Sequence, residues 1–369
     1  MLREGKVRIP SGCSISGIID KTGKRFNGKD IIKSIGLMHE RSNGLGGGFA
    51  AYGIYPDYKD FYALHIFYDN LNIKKQTDNF LNTYFDIEYN EAIPTKSIPE
   101  ILEQPIIWRY FVYPKNARLK DTRLSETDFI FKYIMIINRD YDGAYVFSSG
   151  KNMGAFKGVG YPEDIGEFYM LENYNAYMWT AHGRFPTNTP GWWGGAHPFT
   201  LLNWSIVHNG EISSYDTNRR FVEMYGYVCN LQTDTEVITY LFDLLVRKHH
   251  LSIKRTIQAI VAPFWDDIDA MADSKLKNEL KYIRAVYSPA LINGPFSIIV
   301  GFHGGMIALN DRIKLRPLVI AEYNSKVYVS SEESAIKIIC NQPDRIWAPE
   351  GGEPVIVLLE ETKKGASMI

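Results

Sequence analysis

A few polar residues, spread along the sequence, could together attack a carbonyl carbon. Cys13 offers a thiol, although a free cysteine with a pKa near ~8.5 is a weak nucleophile while it is protonated. Arg184 can hold a carboxylate through two parallel charge-assisted hydrogen bonds, and Asp234 can accept hydrogen bonds from an ammonium group. Asn209 and Gly210 offer a side-chain N–H and a backbone N–H, the pair of fixed donors that a tetrahedral oxyanion needs.

Each of these residues also has a purely structural interpretation. Cys13 lies in a run of small and β-branched residues, and free cysteines are commonly buried as small hydrophobes. Asn209-Gly210 has the commonest sequence of a two-residue hairpin turn. Asp234, within Thr-Asp-Thr-Glu before an apolar run, fits a helix N-cap. Arg184 could belong to a surface ion pair, which stabilises little.

The order of four segments favours the chemical interpretation. Segments 11–19, 181–187, 207–212 and 233–236 together resemble the class II glutamine amidotransferases. In that family the mature chain begins with the catalytic cysteine, so the resemblance implies that residues 1–12 are a propeptide and that 13–369 form the amidotransferase domain. Cleavage before Cys13 would free an α-amine with a pKa near ~7.7–8.0, which can take up the thiol proton.

The resemblance also implies a role for the polar residues around the substrate. Arg184 and Thr187 belong to a His-x-Arg-x-x-Thr run and would bind glutamine, with the guanidinium on the α-carboxylate. Asp234 would receive the α-ammonium group. Asn209 and Gly210 would stabilise the oxyanion. Phe-Pro after the arginine is a modest departure from the family's pattern.

Two further residues join the predicted site through shorter motifs. Arg41 ends the first predicted helix and aligns with a family arginine near the pocket. His197 precedes a proline in a segment between the arginine run and the Asn-Gly run. Because the α-amine of Cys13 already serves as the base, we predict that His197 is a structural or site-lining residue rather than a base.

Composition restricts the class of protein. The chain has 369 residues, 45% hydrophobic and 22% charged, which is the range of ordinary globular proteins. A formal net charge of −1 argues against nucleic acid as a partner. We expect no membrane span and no secretory signal, because the sequence lacks an apolar run of about 18 residues and an apolar N-terminal core. Three widely spaced cysteines without a CxxC exclude a zinc ribbon and suit a reducing cytoplasm.

Strand and helix patterns predict an α+β fold. Strand patterns toward both ends of the chain, flanked by helical stretches, fit a four-layer αββα sandwich, and the resemblance implies that it is of the N-terminal-nucleophile type. The helical pattern at 28–41 ends in the glycine-rich segment 42–48, for which we predict a tight turn beside the cysteine. Residues 58–147 lie outside the resemblance and are predicted to be an insertion. Their βαββαβ order matches a ferredoxin-like unit.

The resemblance implies a partner protein rather than a cofactor on this chain. Class II enzymes deliver ammonia to a synthase site, and segment 360–369 is too short for a second domain. We expect L-glutamine as substrate and a separate synthase subunit of the flavin and iron–sulfur, glutamate synthase type. Two other interpretations stay open. One is hydrolysis of a different amide by the same nucleophile, and the other is a catalytically silent glutamine-binding regulatory subunit.

Overall fold

The computed structural model describes residues 12–186 and 191–363. Its strands, in chain order, are β1 (Ser14–Asp20), β2 (Phe26–Asn27), β3 (Gly47–Tyr52), β4 (Tyr62–Tyr68), β5 (Phe85–Ala92), β6 (Ile106–Pro114), β7 (Ala144–Ser148), β8 (Met153–Gly158), β9 (Asn175–Ala176), β10 (Met178–Gly183), β11 (Phe199–Leu201), β12 (Trp204–Gly210), β13 (Phe296–Phe302), β14 (Gly305–Asn310), β15 (Val319–Tyr323), β16 (Lys326–Ser330), β17 (Arg345–Trp347) and β18 (Val355–Leu358). Its α-helices are α1 (Lys29–Gly36), α2 (Leu71–Tyr84), α3 (Asn116–Thr122), α4 (Glu126–Asp140), α5 (Pro162–Phe168), α6 (Tyr215–Glu223), α7 (Asp234–Asp243), α8 (Ile253–Ile260), α9 (Trp265–Ala270), α10 (Ser274–Val286), α11 (Glu333–Lys337) and α12 (Glu360–Lys363).

Two antiparallel sheets stack face to face in the middle of the molecule. One has seven strands in the order β17-β15-β16-β1-β10-β3-β8, and the other has five in the order β11-β12-β13-β14-β18. Side chains alternate along a strand, so one face of each sheet points into the space between them. Ile15 and Ile19 of β1 pack there with Val207 of β12, Ile299 of β13 and Met306 of β14, all fully buried.

Helices cover the outer face of each sheet. Ile31 and Ile35 of α1 and Ile165 of α5 share an apolar cluster with Phe49 of β3. On the far side, helices α6 to α8 contribute to a second cluster that includes Ile206 of β12. The layers therefore follow the order helix, sheet, sheet, helix, which confirms the predicted αββα sandwich.

Residues 62–148 form a smaller unit with its own sheet. Its strand order is β5-β6-β4-β7, and every neighbouring pair is antiparallel. With helices between β4 and β5 and between β6 and β7, this is the ferredoxin-like arrangement. Alternate residues of β4 pack on opposite sides: Leu64 and Ile66 lie in one cluster with Phe129 of α4, whereas Phe67 lies in another with Phe156 of β8.

Several elements differ from the sequence patterns. The helix predicted over 28–41 ends at Gly36, and a separate 3₁₀ turn, His39–Arg41, follows it. Residues 252–286, whose sequence pattern predicts one helical region, instead form three helices, α8, α9 and α10. A proline at 263 and the N-cap of α10, where Asp273 accepts backbone N–H groups, separate them. Across residues 12–186 and 191–363, no helix has the length and apolar character needed to cross a membrane.

Candidate active site

Five of the predicted catalytic and binding residues meet at one end of the sandwich. Cys13 immediately precedes β1, Arg184 follows β10, Gly210 ends β12, and Asp234 is the first residue of α7. The register between β1 and β10 pairs the residue after Cys13 with the residue before Arg184, so the thiol and the guanidinium emerge from neighbouring strands. Together with His197, they line a cavity of about 270 Å³.

The Cys13 thiol is held by a backbone group. The N–H of Phe185 donates a hydrogen bond to Cys13 Sγ over 3.3 Å. Burial raises the pKa of the thiol, while the Phe185 N–H and the charge of Arg184 lower it, and the net shift is upward. The thiol is therefore protonated at neutral pH, and its use as a nucleophile requires a base that takes the proton.

Arg41 fixes the main chain at Cys13. Its Nε and Nη2 donate to the carbonyl oxygen of Cys13 over 3.3 and 3.2 Å, and its Nη1 binds Glu332 Oε1 over 3.0 Å. Arg41 is not among the side chains that line the cavity. The structure thus places it as a positioning residue, and its predicted contact with glutamine stays a prediction.

Arg184 and Asp234 place opposite charges on the cavity wall. Arg184 is only 6% exposed, and burial lowers its pKa while Cys13 and Asp234 raise it. Burial also acts on Asp234 by raising its pKa, but interactions with His208, the Ile212 N–H and Thr235 outweigh it and hold the pKa below the ordinary value. A fixed cation and a fixed anion in one cavity suit a zwitterionic α-amino acid.

The start of α7 orients the Asp234 carboxylate. Thr233 is the N-cap, because its side chain accepts a hydrogen bond from the Thr235 N–H, so the capping role predicted as an alternative belongs to Thr233. Asp234 Oδ2 accepts the Ile212 N–H over 3.1 Å, and Oδ1 accepts from Thr235 Oγ1 over 3.1 Å. His208 Nδ1 lies 3.5 Å from Asp234 Oδ1.

Asn209-Gly210 is not a hairpin turn. Both residues belong to β12, where they pair with Ser297 and Phe296 of β13, and the chain between the two strands includes helices α6 to α10. Gly210 has φ +144°, and a Cβ there would lie 2.0 Å from the Pro295 carbonyl oxygen, so this position requires glycine. Asn209 is buried, with Nδ2 3.5 Å from Ser331 Oγ.

Three buried histidines cluster at the cavity, and two of them, His197 and His208, line it. His182 Nε2 lies 2.8 Å from the His208 carbonyl oxygen and must carry a proton, because a carbonyl oxygen only accepts. His197 Nδ1 lies 2.7 Å from the same nitrogen. Burial lowers the pKa of His182 to about 3 and that of His197 well below its ordinary value. Both rings are neutral at pH 7, which suits a lining role for His197.

Thr187 lies outside the described residues. Sequence reasoning did not single out the N–H of Phe185 on the thiol or His208 on the Asp234 carboxylate. The first is a backbone group that carries no residue-type signal. The second is adjacent to Asn209 in the sequence, but its partner lies 26 residues further along the chain, so only the fold reveals the contact. Tyr215 and Gln232 also line the cavity without a sequence signal.

Comparison with known proteins identifies the family. The model of the class-II glutamine amidotransferases matches residues 86–366. The chain belongs to the class II glutamine amidotransferase family. A protein of Archaeoglobus fulgidus with no assigned function is 52% identical over 98% of this chain and 97% of its own length.

Two comparisons involve longer enzymes. The amidophosphoribosyltransferase of Methanocaldococcus jannaschii is 29% identical over 54% of this family member and 37% of its own length. The solved glutamine phosphoribosylpyrophosphate amidotransferase of B. subtilis, in complex with ADP and GMP, aligns with 95% of this chain at 16% identity and a TM-score of 0.45. The aligned part is 48% of that enzyme. The family member described here therefore spans less than half of the length of either enzyme.

Proposed function

We propose that this amidotransferase hydrolyses L-glutamine to glutamate and ammonia through a Cys13 glutamyl thioester, after removal of residues 1–12. One observation carries the proposal: Cys13 shares a cavity with a buried guanidinium, Arg184, and with a carboxylate, Asp234, whose pKa is held low. Those two charges match the α-carboxylate and α-ammonium groups of glutamine. The side-chain amide of a substrate held in this way extends toward the thiol.

The reaction balances without a cofactor on this chain. The free α-amine of Cys13 takes the thiol proton, and the thiolate attacks the carboxamide carbon. Asn209 and Gly210 stabilise the resulting oxyanion. The C–N bond breaks, ammonia leaves with the proton from the α-amine, and the glutamyl thioester remains. Water then attacks the thioester, which releases glutamate and restores the thiol.

The neutral, half-buried thiol is consistent with activation by the α-amine. Burial raises the pKa of Cys13, and the neighbouring His197 is itself neutral because its pKa lies well below the ordinary value. His197 approaches His182 over 2.7 Å and has no described contact with the thiol. The α-amine formed by cleavage is thus the base that the mechanism requires.

The ammonia is proposed to pass to a separate synthase subunit of the glutamate synthase type, with flavin and iron–sulfur centres on that partner. Support for this step is the resemblance of the sequence to stand-alone amidotransferase subunits. Cytoplasmic location belongs to the same proposal. The synthase partner and the cytoplasmic location are independent of glutamine hydrolysis and are tested separately from it.

The proposal is tested first by intact mass and then by turnover. We expect the chain purified after co-expression with the synthase subunit to begin at Cys13 and to release glutamate and ammonia from glutamine. The variant Asp234→Asn should lose glutamine binding, whereas Asp216→Asn, an exposed carboxylate on α6, should not. Retention of residues 1–12 under all conditions would exclude the mechanism. Turnover of another amide, with none of glutamine, would favour a different hydrolase.

A further inference from the structure

A second guanidinium lies beside the peptide bond that joins Gly12 to Cys13. Arg316 is located between β14 and β15, and its Nη1 lies 4.0 Å from the position that a Cβ on Gly12 would occupy. Arg41 Nη2 lies 3.8 Å from the same position. The last residue of the predicted propeptide is therefore flanked by two positive charges.

The two arginines differ in the hydrogen bonds and ion pairs that their guanidinium groups form. Arg41 is fully engaged, because its guanidinium binds the Cys13 carbonyl oxygen and the Glu332 carboxylate. Arg316 has no hydrogen bond or ion pair with any residue in 12–186 or 191–363, and its Nε is buried. A partly buried guanidinium without an anion is costly, so its charge is available to an anion that forms nearby.

The positive charge of Arg316 interacts with the Cys13 thiol, which is the reacting group. It acts electrostatically on the Cys13 thiol in the direction that favours negative charge, together with Arg184 on the cavity side. Arg184 lines the cavity in which glutamine would bind, whereas Arg316 does not. Of Arg184 and Arg316, only Arg316 has an atom within 4 Å of the Gly12 Cβ position.

We propose that Arg316 stabilises the oxyanion formed when the precursor cleaves itself before Cys13. The proposal rests on the proposed function, since it concerns the step that creates the N-terminal nucleophile. The Cys13 sulfur attacks the carbonyl carbon of Gly12, and the carbonyl oxygen becomes the oxyanion beside Arg316. The C–N bond breaks, and the thiol proton ends on the departing nitrogen, which becomes the α-amine. Water hydrolyses the remaining Gly12 thioester to a carboxylate and the free thiol.

The experiment measures the rate of cleavage in the full chain. Precursor is produced for the wild type, Arg316→Gln, Arg316→Lys and Lys314→Gln, and intact mass is followed with time. Lys314 is the matched control, because it is an exposed cation in the same loop. Loss of one oxyanion-stabilising group typically slows a reaction about 100-fold. We expect that slowing in Arg316→Gln, partial recovery in Arg316→Lys and the wild-type rate in Lys314→Gln.

The outcomes separate this inference from the proposed function. The thermal midpoint of each precursor and the rate of Cys13 alkylation establish that the variants fold with an accessible thiol. Cleavage of folded Arg316→Gln at the wild-type rate would overturn the role of Arg316 and leave the proposed function intact. A wild-type chain that never loses residues 1–12 would overturn both. A slow Arg316→Gln beside a fast Lys314→Gln supports the inference.

Discussion

The side chain of His208 joins the strand that carries Asn209 to the helix that carries Asp234. Its Nδ1 lies 3.0 Å from Thr235 Oγ1 and 3.5 Å from Asp234 Oδ1. The same interactions contribute to the low pKa of the Asp234 carboxyl. The residue next to the predicted oxyanion-stabilising group therefore maintains the anion that is predicted to bind the substrate ammonium.

Replacing His208 should weaken the binding of glutamine more than it slows the catalytic step. Phenylalanine has a similar volume but removes the hydrogen bond to the Asp234 and Thr235 pair. A hydrogen bond to a charged group contributes about 1.5–3 kcal/mol, so we expect KM for glutamine to rise about tenfold or more in His208→Phe, with little change in kcat. Steady-state kinetics measure both. His303→Phe, which changes an exposed histidine, should leave KM unchanged. An unchanged KM in His208→Phe would contradict the assignment.

The geometry of Arg184 matters as well as its charge. A lysine keeps the positive charge but cannot form two parallel hydrogen bonds with a carboxylate. We expect Arg184→Lys to raise KM about 100-fold, equivalent to roughly 2.7 kcal/mol, with kcat within a few-fold of the wild type. Arg345→Lys, on an edge strand, is the control. A fall in kcat at constant KM would instead indicate that Arg184 acts on the thiol.

Gly210 should tolerate no side chain. A methyl group there would meet the Pro295 carbonyl oxygen at 2.0 Å, and the residue has φ +144°. We expect Gly210→Ala to destabilise the fold by more than the roughly 1–2 kcal/mol that an unfavourable backbone conformation alone costs, and to abolish turnover. Gly226→Ala isolates the backbone effect, because Gly226 has φ +86° and nothing within 4 Å of its Cβ position. Urea denaturation compares the two, and equal losses of stability would rule out the clash.

Glu236 should make the free energy of unfolding depend on pH. Burial raises its pKa from 4.5 to about 8. Between those values the folded chain binds more protons than the unfolded chain, so this residue's contribution to stability falls as pH rises. We expect Glu236→Gln to gain stability relative to the wild type between about pH 5 and pH 8, because a difference of one in pKa is worth about 1.4 kcal/mol. Urea titrations across this range test it, with exposed Glu223→Gln as the control.

The sequence predicts the sandwich from local strand and helix patterns, and it predicts most of the cavity residues from short motifs. Strand and helix periods are local, so β1, β12, β13 and the βαββαβ unit were recognisable from short windows. The short, fully buried strand β8 was not, because its run of Met, Gly, Ala, Phe, Lys and Gly has no alternation. Lys157 in that strand is completely buried, and its Nζ donates to the Gly194 carbonyl oxygen over 2.9 Å. Lysine is almost never fully buried in proteins, so a lysine in the sequence predicts an exposed position rather than a buried strand.

Other site contacts depend on chain segments that are distant in sequence. The sequence motif suggested Arg41 as a pocket residue, but its guanidinium binds the main chain of Cys13, which lies 28 residues earlier. Arg316 approaches Gly12 although about 300 residues separate them. Residue type and spacing identify which groups can do chemistry. Their distances follow from strand register and loop packing, which one sequence does not encode locally.

Helix α7 connects the cavity to the ferredoxin-like unit. Asp234 is its first residue, and after Asp243 it continues through a π-helical turn, Leu244–Lys248. There Arg247 forms an ion pair with Asp128 in the first turn of α4. About 15 residues at 1.5 Å each make a rod of roughly 20 Å between the two ends. One continuous helix therefore has the Asp234 carboxylate at one end and an ion pair with the small unit at the other.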